Sequence, residues 1–255
     1  MDSGYGKAYA ELYRTHWWWR AREIIVLREI NRALANSRRA LSPTSGSSNQ
    51  RNRPRILDVG CGDGLFFDEL TNLGNIEGIE SDAALVSPDN RHRGQIYVGR
   101  LDESFRPAAP YDVILMLDVL EHIKQPTPVL RRALELLAPA GYVIVTVPAF
   151  QQLWTTHDDL NHHFVRYTRR TFREVAKSAA MNIERERYLF QWMFLPKLAA
   201  HLAEAVQKGN PSIPRTPPRP VNGMLTAWSV CEARLFEHLP VPLGSSLLVV
   251  GRNRS

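Results

Sequence analysis

Apolar and polar positions change period several times along this chain, and each change predicts an element. Residues from Tyr5 to about Ala35 read as one helix, with Trp17, Trp18 and Trp19 in its middle. Residues 36–52 are rich in Ser, Asn and Arg and hold Pro43 and Gly46, the composition of a loop or linker. Short apolar runs then alternate with helical patterns. They predict strands at 55–59, 75–80, 95–98, 111–117 and 141–147, and helices near 64–73, 127–137 and 170–180. Ala138-Pro139-Ala140-Gly141 reads as a stop before the fifth strand, and residues 182–189 and 246–250 supply a sixth and a seventh.

An insertion lies between the last two strands. Its pattern gives an apolar helix from Leu198 to Val206, a Pro-rich stretch at 211–220, and a second helix at about 221–239. It fits a lid over a substrate pocket, an ordinary helical cap, or a shallow membrane contact, since Trp192, Met193, Phe194 and Leu195 adjoin Lys197 and His201. The organisation expected is a single domain. It has an N-terminal helical extension (1–35), a linker (36–54), an α/β core (55–190), the insertion (191–243), and a last strand with its tail (244–255).

Composition adds little to the pattern. With 255 residues, 44% apolar and 23% charged, the chain can bury a full core. Two cysteines, Cys61 and Cys231, make no disulfide framework, and no apolar leader or membrane-spanning run is visible, so a cytoplasmic protein is expected. Charge is more informative. Residues 1–55 carry eleven Lys/Arg against four Asp/Glu, whereas residues 56–255 are nearly balanced. A basic extension suits nucleic acid or an anionic membrane, and equally suits a solvated helix.

The chemistry starts at Arg55-Ile56-Leu57-Asp58-Val59-Gly60-Cys61-Gly62-Asp63-Gly64, a buried strand entering a turn with three alternate glycines. Such glycines allow positive φ and let a ligand lie on bare backbone. A second strand, Ile76 to Ile79, ends in Glu80, placed to accept hydrogen bonds from both ribose hydroxyls of a nucleoside. Asp58 would repel a pyrophosphate but suits a ligand carrying an ammonium and a sulfonium, which is S-adenosylmethionine.

These segments closely resemble the cofactor motifs of class I S-adenosylmethionine-dependent methyltransferases, a family whose first motif is written (D/E)-x-G-x-G-x-G. The resemblance implies a Rossmann-like α/β sheet of seven strands with helices on both faces, the last two strands forming an antiparallel hairpin. It also implies S-adenosylmethionine as cofactor, S-adenosylhomocysteine as product, and a cofactor site on Asp58, Gly60, Cys61, Gly62, Gly64, Glu80, Ser81, Leu101, Asp102, Leu117 and Asp118. Tyr111 to Ile123 resembles the fourth motif, which brings Asp118 and His122 to the reaction centre. One departure bears on the adenine end. Arg100 replaces the usual acid after Gly99, leaving Asp102 or backbone to meet the adenine amine.

After the fifth strand, His157, His162 and His163 fall within seven positions, beside two acids and followed by Tyr167. Loops at the C-terminal ends of parallel strands are where α/β enzymes place their chemistry. A hydroxyl acceptor must lose a proton, and histidine suits that task. His122, His157, His162, His163 and Tyr167 are therefore candidate catalytic or acceptor-binding residues. Asp118-x-x-Glu121-His122 with either His162 or His163 also resembles the metal site of small-RNA 2′-O-methyltransferases, making a divalent metal an additional candidate cofactor. Glu11-Leu12-Tyr13-Arg14-Thr15-His16-Trp17-Trp18-Trp19-Arg20-Ala21-Arg22 resembles the H-W-W-x-x-R opening of a bacterial subgroup (methyltransferase types 11 and 23). There the tryptophans can cover the cofactor or pack as core, and Arg20 or Arg22 can bind an acidic acceptor.

The function expected is O-methylation of a small-molecule, glycan or lipid-linked acceptor. The alternatives are an RNA methyltransferase using the basic N-terminus, and a cofactor-binding protein without turnover. No RNA-binding module is visible.

Overall fold

In a computed structural model, residues 11–41, 53–206 and 215–254 are described. The apolar runs all become strands: β1 (Arg55–Val59), β2 (Asn75–Glu80), β3 (Ile96–Val98), β4 (Tyr111–Leu117), β5 (Leu137–Pro148), β6 (Met181–Leu189) and β7 (Ser246–Asn253). They form one sheet in the order β3-β2-β1-β4-β5-β7-β6. β1 through β5 pair in parallel, while β7 runs antiparallel between β5 and β6. The central strands are apolar on both sides because helices cover both faces. Alternation splits them between two layers. Val113 and Leu115 pack with α1 (Trp17–Leu41) and α2 (Phe67–Thr71), and Ile114 and Met116 with α3 (Pro126–Glu135) and α5 (Arg169–Ser178). The short helix α4 is Thr156–Leu160.

Two elements depart from the sequence expectation. The first helix continues to Leu41 instead of ending near Ala35, since Ala33, Leu34 and Ser37 are buried and their packing outweighs the polar composition. Residues 1–10 and 42–52, where the rest of that helix and the linker were expected, lie outside the described residues. Ala138 to Gly141 is not a stop. β5 starts at Leu137 and passes through an irregularity between the Tyr111 and Val113 pairings, with Ala140 at φ 61°. Between β2 and β3 the described chain makes two 3₁₀ turns, Ala83–Leu85 and Arg93–Gln95.

The insertion forms α6 (Phe194–Val206) and α7 (Arg219–Leu235). Buried Glu29 of α1 ties these layers together. It accepts from Arg185 at 2.6 Å and Arg187 at 3.0 Å, and Arg187 also donates to the Ala233 carbonyl at 2.6 Å. Asn222 of α7 bridges the break before α1, accepting from Trp17 N at 2.7 Å and donating to Thr15 O at 2.8 Å. Among the described residues, no helix is long and apolar enough to cross a membrane.

Candidate active site

A cavity of about 590 Å³ opens at the C-terminal ends of β1, β2 and β4, where the parallel strands hand over to loops. Its floor is the glycine turn. Gly60, Gly62 and Gly64 all have positive φ, at 73°, 54° and 67°. A Cβ on Gly60 would stand 2.7 Å from Val119 Cγ2, whereas one on Gly62 would meet nothing within 4 Å. Gly60 is therefore required by close packing, and Gly62 presents bare backbone to the cavity. Cys61 lines the cavity, but its Sγ lies against Gly78 and burial pushes its thiol up, so its side chain packs rather than reacts.

Glu80 ends β2 beside that turn. Its Oε2 accepts from Gly62 N and its Oε1 from Asp82 N, both at 2.9 Å. Each oxygen keeps a lone pair, so the carboxylate is oriented for two vicinal hydroxyls. Asp58 is buried at the cavity wall. Burial pushes its carboxyl up to about 7, against the attraction of Arg22, and Glu80 adds repulsion. The bare glycine backbone, an oriented carboxylate and a buried acid in want of a cation fit S-adenosylmethionine, with its ribose diol, ammonium and sulfonium.

The adenine end differs from expectation. Asp102 is exposed, its Oδ1 occupied by Ser104 N and Oγ at 2.9 and 2.6 Å, while Leu101 is buried in the β4 layer. Neither lines the cavity. The loop after β3 turns the carboxylate onto its own backbone, and Ser81, Asp82 and Leu85 form that side instead.

Asp118 follows β4 at φ 57° and pairs with Arg22 of α1, whose guanidinium also lies 5.2 Å from the Trp18 ring. The tryptophans divide their roles. Trp17 packs on Phe190 and Trp192, while Trp18 and Trp19 line the cavity.

Four predicted histidines, His122, His157, His162 and His163, meet on the far wall. His122 and His163 lie with ring centroids 4.6 Å apart, and ligand atoms of Glu121, His122 and His163 all fall within 4.8 Å of one another. Of the two distal histidines expected for a metal set, His163 joins; neither His162, at φ 56°, nor Asp118 does. Glu121 is wholly buried with both carboxylate oxygens lacking a hydrogen bond, and burial with nearby Asp118 raises it well above the usual range. Desolvation within the cluster lowers His122 to about 4, with His163 adding to it, and burial lowers His157 to about 4. Both imidazoles are neutral at pH 7.

Tyr167 is not in the cavity. It is 2% exposed, and its hydroxyl donates to the Leu120 carbonyl at 3.2 Å, bracing the 3₁₀ turn that carries Glu121 and His122. The sequence reading left out Arg166 and Asp158 as partners of the histidines, and Lys197 as a lining residue. Their signal was faint, since each depends on which loop packs over which.

Known proteins share the domain family and the fold. A family model described as a methyltransferase domain matches residues 18–186. A ubiquinone biosynthesis O-methyltransferase of Nitrosococcus oceani is 40% identical over 99 residues, 35% of this chain and 41% of that protein. One of the same name from Ralstonia nicotianae is 27% identical over 151 residues, 56% of this chain and 60% of that protein. The chain thus spans about two fifths to three fifths of these curated relatives. Among solved structures, a putative methyltransferase of Haloferax volcanii, in complex with the Trm112 methyltransferase activator, covers 93% of this chain and 95% of its own. Its identity is 17% and its TM-score 0.50. Phosphoethanolamine N-methyltransferase 2 of Haemonchus contortus, solved with S-adenosyl-L-methionine, covers 88% and 53% at 15% identity and a TM-score of 0.50. Sheet order, glycine turn and family match together place the chain in the S-adenosylmethionine-dependent methyltransferase domain family, with the class I fold.

Proposed function

We propose that the protein transfers a methyl group from S-adenosylmethionine to a hydroxyl oxygen of a small acceptor held against the histidine wall. The observation that carries this reading is one continuous cavity with the glycine turn and Glu80 at one end and His122, His157 and His163 at the other. Methyl transfer is an in-line displacement, so the protein's main work is aligning oxygen, methyl and sulfur. Trp18, Trp19 and α1 would close the cofactor side and exclude water. The O-methyltransferase names of the relatives add support for oxygen as the acceptor atom.

The low basicity of His122 and His157 favours a second element. Imidazoles near 4 are weak general bases but good neutral ligands. Glu121, His122 and His163 fit a divalent cation, which would supply a positive charge that acidifies the acceptor hydroxyl. The remaining groups bind and orient: Asp158 fixes His163, and Arg166 fixes Asp158.

Methyl-labelled S-adenosylmethionine supplied with a host extract, afterwards split into soluble, lipid and RNA fractions, tests the reading. Label in soluble hydroxylated compounds is expected. Label in the lipid fraction would extend the acceptor to a lipid-linked one, suited to the exposed Leu195, Leu202, Met224 and Trp228 of the insertion. Label in RNA, or none anywhere, would overturn it.

A further inference from the structure

Lys197 sits on a face of α6 that is pinned over the histidine segment. Lys197, His201 and Glu204 are spaced i, i+4, i+7, which lines them along one side of a helix. Glu204 accepts from Thr156 N at 2.8 Å and from its hydroxyl at 3.2 Å, and His201 Nδ1 lies 2.6 Å from the Trp154 carbonyl oxygen. Two of the three are thereby fixed to residues 154–156, immediately before His157. The third continues past this anchor to the cavity, where Lys197 lines the wall with His157 and Arg166.

The other cations there are committed. Arg166 grips Asp158 through Nε and Nη2 at 2.9 and 2.8 Å and donates Nη1 to the Ala149 carbonyl, and Arg22 pairs with Asp118. Lys197 has no hydrogen-bond or ion-pair partner among the described residues; of the acids that line the cavity, Asp118 is paired with Arg22, Glu121 is wholly buried, and Asp58, Asp63, Glu80 and Asp82 stand at the glycine end. Groups facing it are Arg166, Asp158, Asp118 and His157. Burial first, and then Arg166, push its amine down to about 8. A part-buried cation whose facing carboxylates, Asp158 and Asp118, are already paired with arginines is costly unless a ligand supplies a further negative charge.

We propose that Lys197 binds a carboxylate of the acceptor, so that the substrates of this site are hydroxy acids. The inference rests on the methyl-transfer reading and names its substrate class. A monoanion fits better than a phosphate. One ammonium offers three donors at a single point, and the neighbouring guanidiniums, whose forks suit phosphate, are already occupied. The acid group at Lys197 would hold the acceptor by its far end and leave its hydroxyl toward the histidines.

Calorimetry on the full chain saturated with S-adenosylhomocysteine tests this without turnover. The probes are 4-hydroxybenzoate, its neutral twin 4-hydroxybenzamide, and 4-hydroxyphenyl phosphate. The wild type should bind the acid at least about tenfold more tightly than the amide, about one decade of affinity. Lys197→Met should erase that preference with adenosylhomocysteine affinity unchanged, and Lys197→Arg should keep most of it. Trace acetylation read by mass spectrometry should show the Lys197 amine protected by the acid and not by the amide. Equal binding of acid and amide, no binding of the acid, tightest binding of the phosphate, or a preference surviving in Lys197→Met would each overturn the carboxylate assignment. An intact preference in a protein that methylates no hydroxyl would instead overturn the methyl-transfer reading and leave the anion site standing.

Discussion

His163 Nδ1 stands 2.8 Å from Oδ1 of Asp158, a wholly buried carboxylate that Arg166 holds through two nitrogens. The contact fixes the ring so that Nε2 is the nitrogen left for Glu121, His122 or a bound ion. Asp158 also caps α4 by accepting from Thr155 N at 2.9 Å. One carboxylate thus organises the helix, the arginine and the histidine.

Asp158→Asn should therefore act on stability before chemistry. Burial alone would raise its carboxyl, but hydrogen bonds from His163 and Arg166 hold it well below 3.8. A folded-state value below the unfolded one gives stability that is present above about pH 4 and lost as pH falls further. Removing the charge leaves Arg166 buried and unpaired, at a cost of about 3–5 kcal/mol. Urea unfolding at neutral pH checks this, and a loss below 1 kcal/mol or so would mean that the network contributes little.

Gly62→Arg should abolish adenosylhomocysteine binding while the protein stays folded. The position has open space around a Cβ, so Gly62→Ala should cost about 1–2 kcal/mol of backbone strain at φ 54° and retain the ligand. Gly60→Ala should lose both binding and stability through its clash with Val119, and Val119→Ala should restore part of each. Calorimetry paired with thermal melting separates the three cases.

How legible was this in the sequence? The strands and the glycine turn were, because a buried parallel strand and a positive-φ turn are written in consecutive residues. Glu80 was, because a strand end fixes the direction of its last side chain. Tyr167 misled: its polar hydroxyl near three histidines suggested chemistry, yet the ring turned inward to brace Leu120. Asp102 misled for a related reason, since its own Ser104 outcompeted a distant ligand. Lys197 and the pairing of Arg22 with Asp118 bring to one cavity residues far apart in the chain, Arg22 and Asp118 being 96 residues apart, and no local period encodes such reach.

Tyr167→Phe should leave methyl transfer within about twofold of wild type and lower stability by about 1 kcal/mol, the net worth of one buried hydrogen bond. A large fall in kcat with unchanged stability would return Tyr167 to the reaction.

Zinc or manganese added to the protein should bind with release of protons. Burial and then Asp118 raise the Glu121 carboxyl well above the usual range, which favours its protonated form, and a divalent ion that takes the carboxylate as ligand must displace that proton. Calorimetry in two buffers of different ionisation enthalpy reads that release directly. Glu121→Gln should abolish it and weaken the ion about 10–100-fold or more, whereas identical heats in both buffers would exclude the carboxyl as a ligand.

The cofactor's charge should make its own binding depend on pH through Asp58. Its folded-state carboxyl titrates near 7 because burial opposes ionisation, with Arg22 helping and Glu80 hindering the charged form. Since the folded value lies above the unfolded one, Asp58 destabilises the ligand-free protein as pH rises toward and through 7. A ligand bearing ammonium and sulfonium reverses that penalty by pairing with the ionised acid. S-adenosylmethionine affinity should therefore climb between pH 6 and 8, by up to about tenfold per unit on the acid side of the midpoint. S-adenosylhomocysteine, which lacks the sulfonium charge, should show a shallower climb. Asp58→Asn should flatten both curves. Arg22→Ala should shift them to higher pH, since loss of the nearby guanidinium raises the carboxyl further. Parallel calorimetric titrations of the two ligands give the comparison, and equal slopes in wild type and Asp58→Asn would remove Asp58 from the cofactor site.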